Sequence, residues 1–331
     1  MKLTKMKKLL HVIFMAYISL SAYAQSPYIN KVYAYHPAPG QFIGEHYPDV
    51  YADDTYESIL TRVDSALTGA AGNAMITLGA WGGSVTFGFD HDVQNRPGER
   101  DLLVYGNVYF TGEMADGHAV SSSEPGIIWV SEDVNGNGLP DDPWYEIAGS
   151  ASAQAIRDYQ VTYYYSTEDI QWIDNQGNTG SIKRNSWHQQ DTYFPYWESM
   201  DSLVFSGTLL PPNMYDKGNG VIRSVAYDYG YADNQPNDSL AAQIDLDWAV
   251  DAEGQPVHLD AIRFVKVQTG VQVDWGISGE MSTELCGAAD LHIATSLTDR
   301  PLKPKAEKRI RNGQLVICIG DKTYDILGKR L

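Results

Sequence analysis

Leu259-Asp-Ala-Ile-Arg-Phe-Val-Lys-Val267 is the stretch whose reading decides the fold class. Its β-branched and aromatic residues suit a pleated surface. So short an apolar run, bounded by polar residues, reads as a strand in the middle of a sheet. Working outward, residues 243–250 alternate: Ile244, Leu246, Trp248 and Val250 face one way, Asp245 and Asp247 the other. Residues 84–89, 126–131, 159–165, 203–206 and 221–227 carry the same strand signals, and residues 102–110 put Leu102, Val104, Val108 and Phe110 on one face. Residues 75–78 and 84–89 flank the turn Gly79-Ala-Trp-Gly-Gly83. Helical spacing occurs once, over residues 53–67, where Tyr56, Ile59, Leu60, Val63 and Leu67 recur; Asp53 or Asp54 can cap that helix and Gly69 can end it. No βαβ alternation and no internal repeat are visible. The expectation is an all-β protein, an antiparallel β-sandwich or jelly roll with one N-terminal helix and a short C-terminal hairpin tail.

The start of the chain stands apart. Lys2, Lys5, Lys7 and Lys8 precede an apolar run over residues 9–20, and Ala22-Tyr23-Ala24 has the small-x-small pattern of a cleavage site. Residues 1–24 are therefore expected to be a signal peptide, with an extracellular or outer-membrane-surface destination. Losing four lysines and no acid takes the formal charge from −18 to −22. That balance excludes phosphate-backbone binding and predicts no nucleic-acid partner. Residues 25–297 form the expected β domain. Residues 298–311, with Arg300, Lys303, Lys305, Lys308, Arg309 and Arg311 around two prolines, read as a basic linker, and 312–331 as the tail. Cys286 and Cys318 are the two cysteines; an oxidising compartment permits a disulfide between them, and two free thiols fit equally.

The strongest chemical signal is Asp133-Val-Asn-Gly-Asn-Gly-Leu-Pro-Asp-Asp-Pro-Trp-Tyr-Glu146. Side-chain oxygens at Asp133, Asn135, Asn137 and Asp141, with Gly138, match positions 1, 3, 5, 9 and 6 of the EF-hand calcium loop. A carbonyl near Leu139 and the carboxylate of Asp142 or Glu146 complete a calcium set. The match is partial, because position 12 is Trp144 rather than a bidentate Glu. Asn, Asp and Gly also make turns without a metal.

Three further groupings follow. Asp90-His91-Asp92, with Glu99 and Asp101, is either a ligand-binding cluster or an acidic loop edge. Glu280, Glu284 and Asp290 are either a solvated turn or paired carboxylates of a glycan-degrading hydrolase, with Asp90 and Asp92 as further candidates. Trp172, Trp187, His188, Tyr193, Tyr196 and Trp197 belong to an aromatic-rich stretch and are the candidate ligand platform. No P-loop, Gly-x-Ser-x-Gly, His-Glu-x-x-His or Cys-x-x-Cys occurs.

Two resemblances add to this reading. Asn312-Gly313-Gln314-Leu315, an apolar strand, then Tyr324, Asp325, Gly328 and Leu331 resemble an abbreviated type IX secretion sorting signal, which implies export and either cleavage or surface attachment. Tyr35-His-Pro-Ala-Pro-Gly-Gln-Phe42, Gly79-Ala-Trp-Gly-Gly-Ser-Val-Thr-Phe-Gly-Phe-Asp-His91, Ser123-Glu-Pro-Gly-Ile-Ile-Trp-Val130, Phe264-Val-Lys-Val-Gln-Thr-Gly270, Gly279-Glu-Met-Ser-Thr-Glu284 and Gly287-Ala-Ala-Asp290 are similar to a family of gut Bacteroidetes cell-surface proteins. Its members often accompany vitamin B12 (corrinoid) uptake. The resemblance implies an accessory surface role beside an outer-membrane transporter, with a corrinoid ahead of a glycan as ligand. The expected function is a calcium-stabilised, secreted ligand-binding protein.

Overall fold

The computed structural model describes residues 25–69, 71–72, 74–198, 200–216, 218, 222–275 and 279–293 with side chains, and the backbone of 306–311, 314–319 and 322–324. The expected signal peptide, most of the expected linker, and Asn312, Gly313, Asp325, Gly328 and Leu331 of the expected tail lie outside these residues. The chain divides into two units, Met1–Leu291 and His292–Leu331. Among the described residues no helix is long and apolar enough to cross a membrane.

Among its described residues the first unit is built of antiparallel sheets, one α-helix and three short 3-10 turns. Its largest sheet has six strands: β1 (Lys31–His36), β3 (Ser84–Gln94), β17 (Ala261–Thr269), β7 (Gly126–Ser131), β8 (Trp144–Ile147) and β16 (Ala249–Val250), in that spatial order. The opening stretch thus lies inside the sheet, paired on both sides, with Phe264 opposite Gly88 and Ser131. Phe264, Val265 and Val267 are fully buried, which is why so apolar a run is stable there. A four-stranded sheet holds β11 (Thr179–Ile182), β10 (Ile170–Asp174), β9 (Ile156–Tyr164) and β12 (Ser202–Leu209). A second one holds β13 (Met214–Asp216), β14 (Ile222–Val225), β6 (His118–Ser121) and β5 (Phe110–Ala115). Smaller groups join β15 (Gln243–Ile244), β4 (Leu102–Tyr105) and β19 (Gly287–Asp290), and β18 (Glu284–Leu285) with β2 (Ile76–Thr77). In the second unit β20 (Ala306–Arg311), β21 (Gln314–Ile319) and β22 (Lys322–Tyr324) form an antiparallel meander. The expected hairpin therefore has a third strand, taken from the end of the expected linker.

The helix α1 (Tyr56–Leu67) starts later than the sequence suggests. Thr55, not Asp53 or Asp54, is its cap, in a capping box with Ser58. Asp54 is instead ion-paired to Arg62. Ile59, Val63 and Leu67 point into the main core. Thr55→Ala is expected to lower stability by about 1 kcal/mol in denaturant titration.

Two strand readings need correction. Residues 243–250 are not one strand: a 3-10 turn, Leu246–Trp248, interrupts them. Asp245 causes this by accepting the Asp247 N–H at 3.0 Å, an N-cap that competes with the ladder. Asp245 is buried beside Arg100 rather than facing solvent. Residues 102–110 break after Tyr105, where Gly106 packs so closely on Asp233 that a Cβ there would lie 2.2 Å from Asp233 Oδ1. Phe110 then enters a different sheet and is 43% exposed.

Candidate functional site

The Asn/Asp loop closes the hairpin between β7 and β8, and its side-chain oxygens bond the loop's own N–H groups. Asp133 accepts the Gly138 N–H at 3.1 Å, Asn135 Oδ1 the Asn137 N–H at 2.9 Å, and Asn137 Oδ1 the Leu139 N–H at 2.7 Å. The Asn135 and Asn137 amides both donate to Asp141, at 3.0 Å each, and hold its carboxyl below the usual carboxylate range. Asp142 accepts the Asn135 N–H at 3.4 Å. The Leu139 carbonyl takes the Asp141 N–H at 2.9 Å. Gly136 and Gly138 supply the positive φ angles, 69° and 72°, that the winding needs. The Tyr33 hydroxyl ties the loop to β1 by donating to the Gly138 carbonyl at 3.1 Å.

A second acidic site was not singled out in the sequence. Carboxylate oxygens of Glu124, Asp233 and Glu284 lie within 4.8 Å of one another. Glu124 immediately precedes Pro125 and β7, Asp233 follows the Gly126–Ala232 bridge, and Glu284 opens β18. Asp233 and Glu284 are only 2% and 5% exposed. Asp233 accepts the Asn107 and Glu284 N–H groups, both at 2.9 Å, and Glu284 Oε2 accepts the Asn107 side-chain amide at 3.1 Å. Asp233 sits at φ 48°, a strained setting for a residue other than glycine. Among the described residues no Lys, Arg or His pairs with the three acids. Burial pushes all three carboxyls above their ordinary range, and repulsion from Glu284 adds to the rise at Glu124 and Asp233. The neighbouring Cys286 thiol is pushed up to about 11 by burial and by Asp233 and Glu284; it has no disulfide partner among the described residues.

The other acids separate. His91 points inward between Asp90 at 2.6 Å and Asp290 at 2.9 Å, a closed structural relay. Asp92 turns outward to Arg263, at 2.7 Å. Buried Asp101 accepts the Arg96 and Leu246 N–H groups at 3.0 Å each. Glu280, Glu284 and Asp290 are all buried, so the solvated-turn alternative for them fails. Strand pairing draws residues 284–290 into the fold on β18 and β19.

The aromatic platform also disperses. Tyr193 is fully buried in the core beside β9, and Trp197 packs on the main core. Trp187 is 77% exposed, and His188 is held by Glu45 at 3.0 Å and packs against Phe42. Trp172 lines one cavity of about 290 Å³. Tyr196 lines another of about 590 Å³ with Tyr165, Glu45, Gln189, Gln190 and Asp191. Proline and polar neighbours did not mark exposure at Tyr193 and Phe194, whose rings are fully buried in the core beside β9.

No family model and no curated protein matches the chain.

Proposed function

We propose that this chain is a secreted, cell-surface binding protein whose β domain is pinned by divalent cations and whose open cleft takes a small polar ligand. The buried cluster of Glu124, Asp233 and Glu284 carries the reading: three carboxyls with no basic partner call for protons or a cation. An all-oxygen set suits a hard ion such as calcium or magnesium. The Asn/Asp loop supports a second, structural calcium ion with ligands from Asp133, Asn135, Asn137 and Asp141. The ligand reading rests on the cleft of about 590 Å³, where Tyr165 and Tyr196 stand beside amide and carboxylate side chains. Such a cleft encloses a sugar unit or two and is small for a whole corrinoid, so its size favours a glycan. The corrinoid, the outer-membrane transporter partner and the exported tail rest on the resemblances alone. In the same reading the sheets stack as a β-sandwich of jelly-roll type. Contacts from β12 to the six-stranded sheet support it: the Gln268 amide donates to the Ser206 carbonyl at 3.1 Å and Thr208 binds Glu146.

Calorimetric titration with calcium, magnesium and manganese tests the cations. Two sites are expected in the mature protein. Glu284→Gln should remove one, and Asp133→Asn with Asp141→Asn the other. A protein that binds no cation, or whose Glu284→Gln variant titrates like the parent, would sink the reading. Glycan and cobalamin panels then decide the ligand.

A further inference from the structure

Lys266 is a cation without a counter-ion in a chain of formal charge −18. It stands half-buried in the middle of β17. Its Nζ lies 4.8 Å from the ring centre of Trp129 and 5.4 Å from that of Trp144. Ring faces attract a cation, but an ammonium's three N–H donors still seek oxygen acceptors. Among the described residues no carboxylate pairs with it, and burial alone holds its ammonium below the usual lysine range. The side chain is not sealed off, because it borders an open cavity of about 730 Å³. Glu198 and Asp201 line the same cavity from the segment that leads into β12. Glu198 is half-buried, Asp201 is exposed, and neither is ion-paired among the described residues. Charges of opposite sign thus face one opening without meeting. Met200 and Val204, 54% and 56% exposed, add apolar surface to its walls.

We propose that this cavity binds a small zwitterion with an apolar body, an amino acid or short peptide, its carboxylate on Lys266 and its ammonium on Glu198 or Asp201. A simple anion would meet Lys266 but also two carboxylates of its own sign. A simple cation would leave Lys266 bare. A ligand that carries both charges complements both, and each end makes a charge-assisted hydrogen bond. Ser84 lies two residues along β3 from Thr86, the strand partner of Lys266, and adds a hydroxyl donor to the wall. The volume falls in the usual range for small-molecule sites. The cavity shares no lining residue with the cleft of Tyr165 and Tyr196, so it is a second site.

The test is calorimetry on the mature full chain at neutral pH, with calcium saturating, using the dipeptide alanyl-leucine, its C-terminal amide and its N-acetyl form. One site is expected for the free dipeptide, with each derivative at least about tenfold weaker. Lys266→Met keeps the reach of the side chain without its charge. It should weaken the dipeptide at least about tenfold and leave the amide, which has no carboxylate, unchanged. Glu198→Gln with Asp201→Asn should weaken the dipeptide and leave the N-acetyl form unchanged; this pair serves if Lys266→Met fails to fold. No heat with the dipeptide, equal binding of the three probes, or full affinity in the variants overturns the proposal. Tighter binding of the N-acetyl form would mean a plain anion site and overturns it too. Neither the carboxylate cluster nor the cleft of Tyr165 and Tyr196 takes part, so failure here leaves the proposed function standing.

Discussion

In chelator, raising the pH from about 4.5 to 8 should lower the unfolding free energy by several kcal/mol, and a saturating divalent cation should restore most of it. The carboxyls of Glu124, Asp233 and Glu284 all lie above their ordinary range, and that of Glu280 rises from 4.5 to about 7. Each binds its proton more tightly in the folded chain than in the unfolded one. Folding therefore takes up protons between the ordinary and the raised values. The stabilising contribution is complete below the ordinary value and is lost as pH climbs through the folded value. For Glu280 the displacement corresponds to about 3 kcal/mol. A cation bound at Glu124, Asp233 and Glu284 replaces their protons, so it should flatten that part of the profile; at a hundred times its Kd it adds about 2.7 kcal/mol. Asp54, held down to about 2 by Arg62, works the other way. Its contribution is present above the ordinary carboxylate value and is lost as pH falls through about 2, so the apo protein should be most stable near pH 4 to 5. Denaturant titration from pH 3 to 8, with EDTA or calcium, measures all of this. An apo profile that rises steadily from pH 5 to 8 would contradict it.

Trp81→Ala is expected to cost about 3–5 kcal/mol. Trp81 is fully buried in the core beneath β9, edge-on to Tyr159 with centroids 4.6 Å apart. Its indole N–H points to the Thr208 carbonyl at 3.4 Å, and its own carbonyl accepts the Tyr163 hydroxyl at 3.0 Å. Removing the ring opens a void between the Gly79–Gly83 turn and the four-stranded sheet. It also widens the cavity of about 290 Å³ that Trp172 lines. The backbone cannot close the gap by sliding inward: a Cβ at Gly83 would already lie 1.8 Å from the Leu78 carbonyl oxygen. The denaturant midpoint should fall with little change in slope. A loss below about 1 kcal/mol would mean that the site collapses around the smaller side chain.

Local pattern carried the secondary structure well where one interaction dominated. The 259–267 run reads as a strand from composition alone, and from Ala261 on it is one, with neighbours Phe264 and Val265 both buried. The 126–131 strand follows from its apolar composition, and the helix around Ile59 and Val63 from period. Reading failed where a side chain competed with the ladder, as Asp245 does at 243–250, or where a tertiary contact broke it, as Asp233 does beside Gly106. Among candidate residues, Asp133, Asn135, Asn137 and Asp141 share one hydrogen-bonded loop, as their closeness in sequence implied. Glu280 and Glu284 were visible as acids, but not their burial. Glu124 and Asp233 carried no signal that spacing could detect.

The chain by itself determined what short-range geometry governs: antiparallel strands, one helix, and a loop whose Asn and Asp side chains bond amides a few residues away. Such contacts depend on backbone dihedrals between near neighbours, which residue type dictates. Tertiary structure alone decided the carboxylate cluster and the burial of Glu280. Those require the Gly126–Ala232 bridge and the pairing of Glu284 with Thr77, contacts between segments far apart in the chain. Where such segments meet is set by the packing of the whole core, and no local periodicity encodes it.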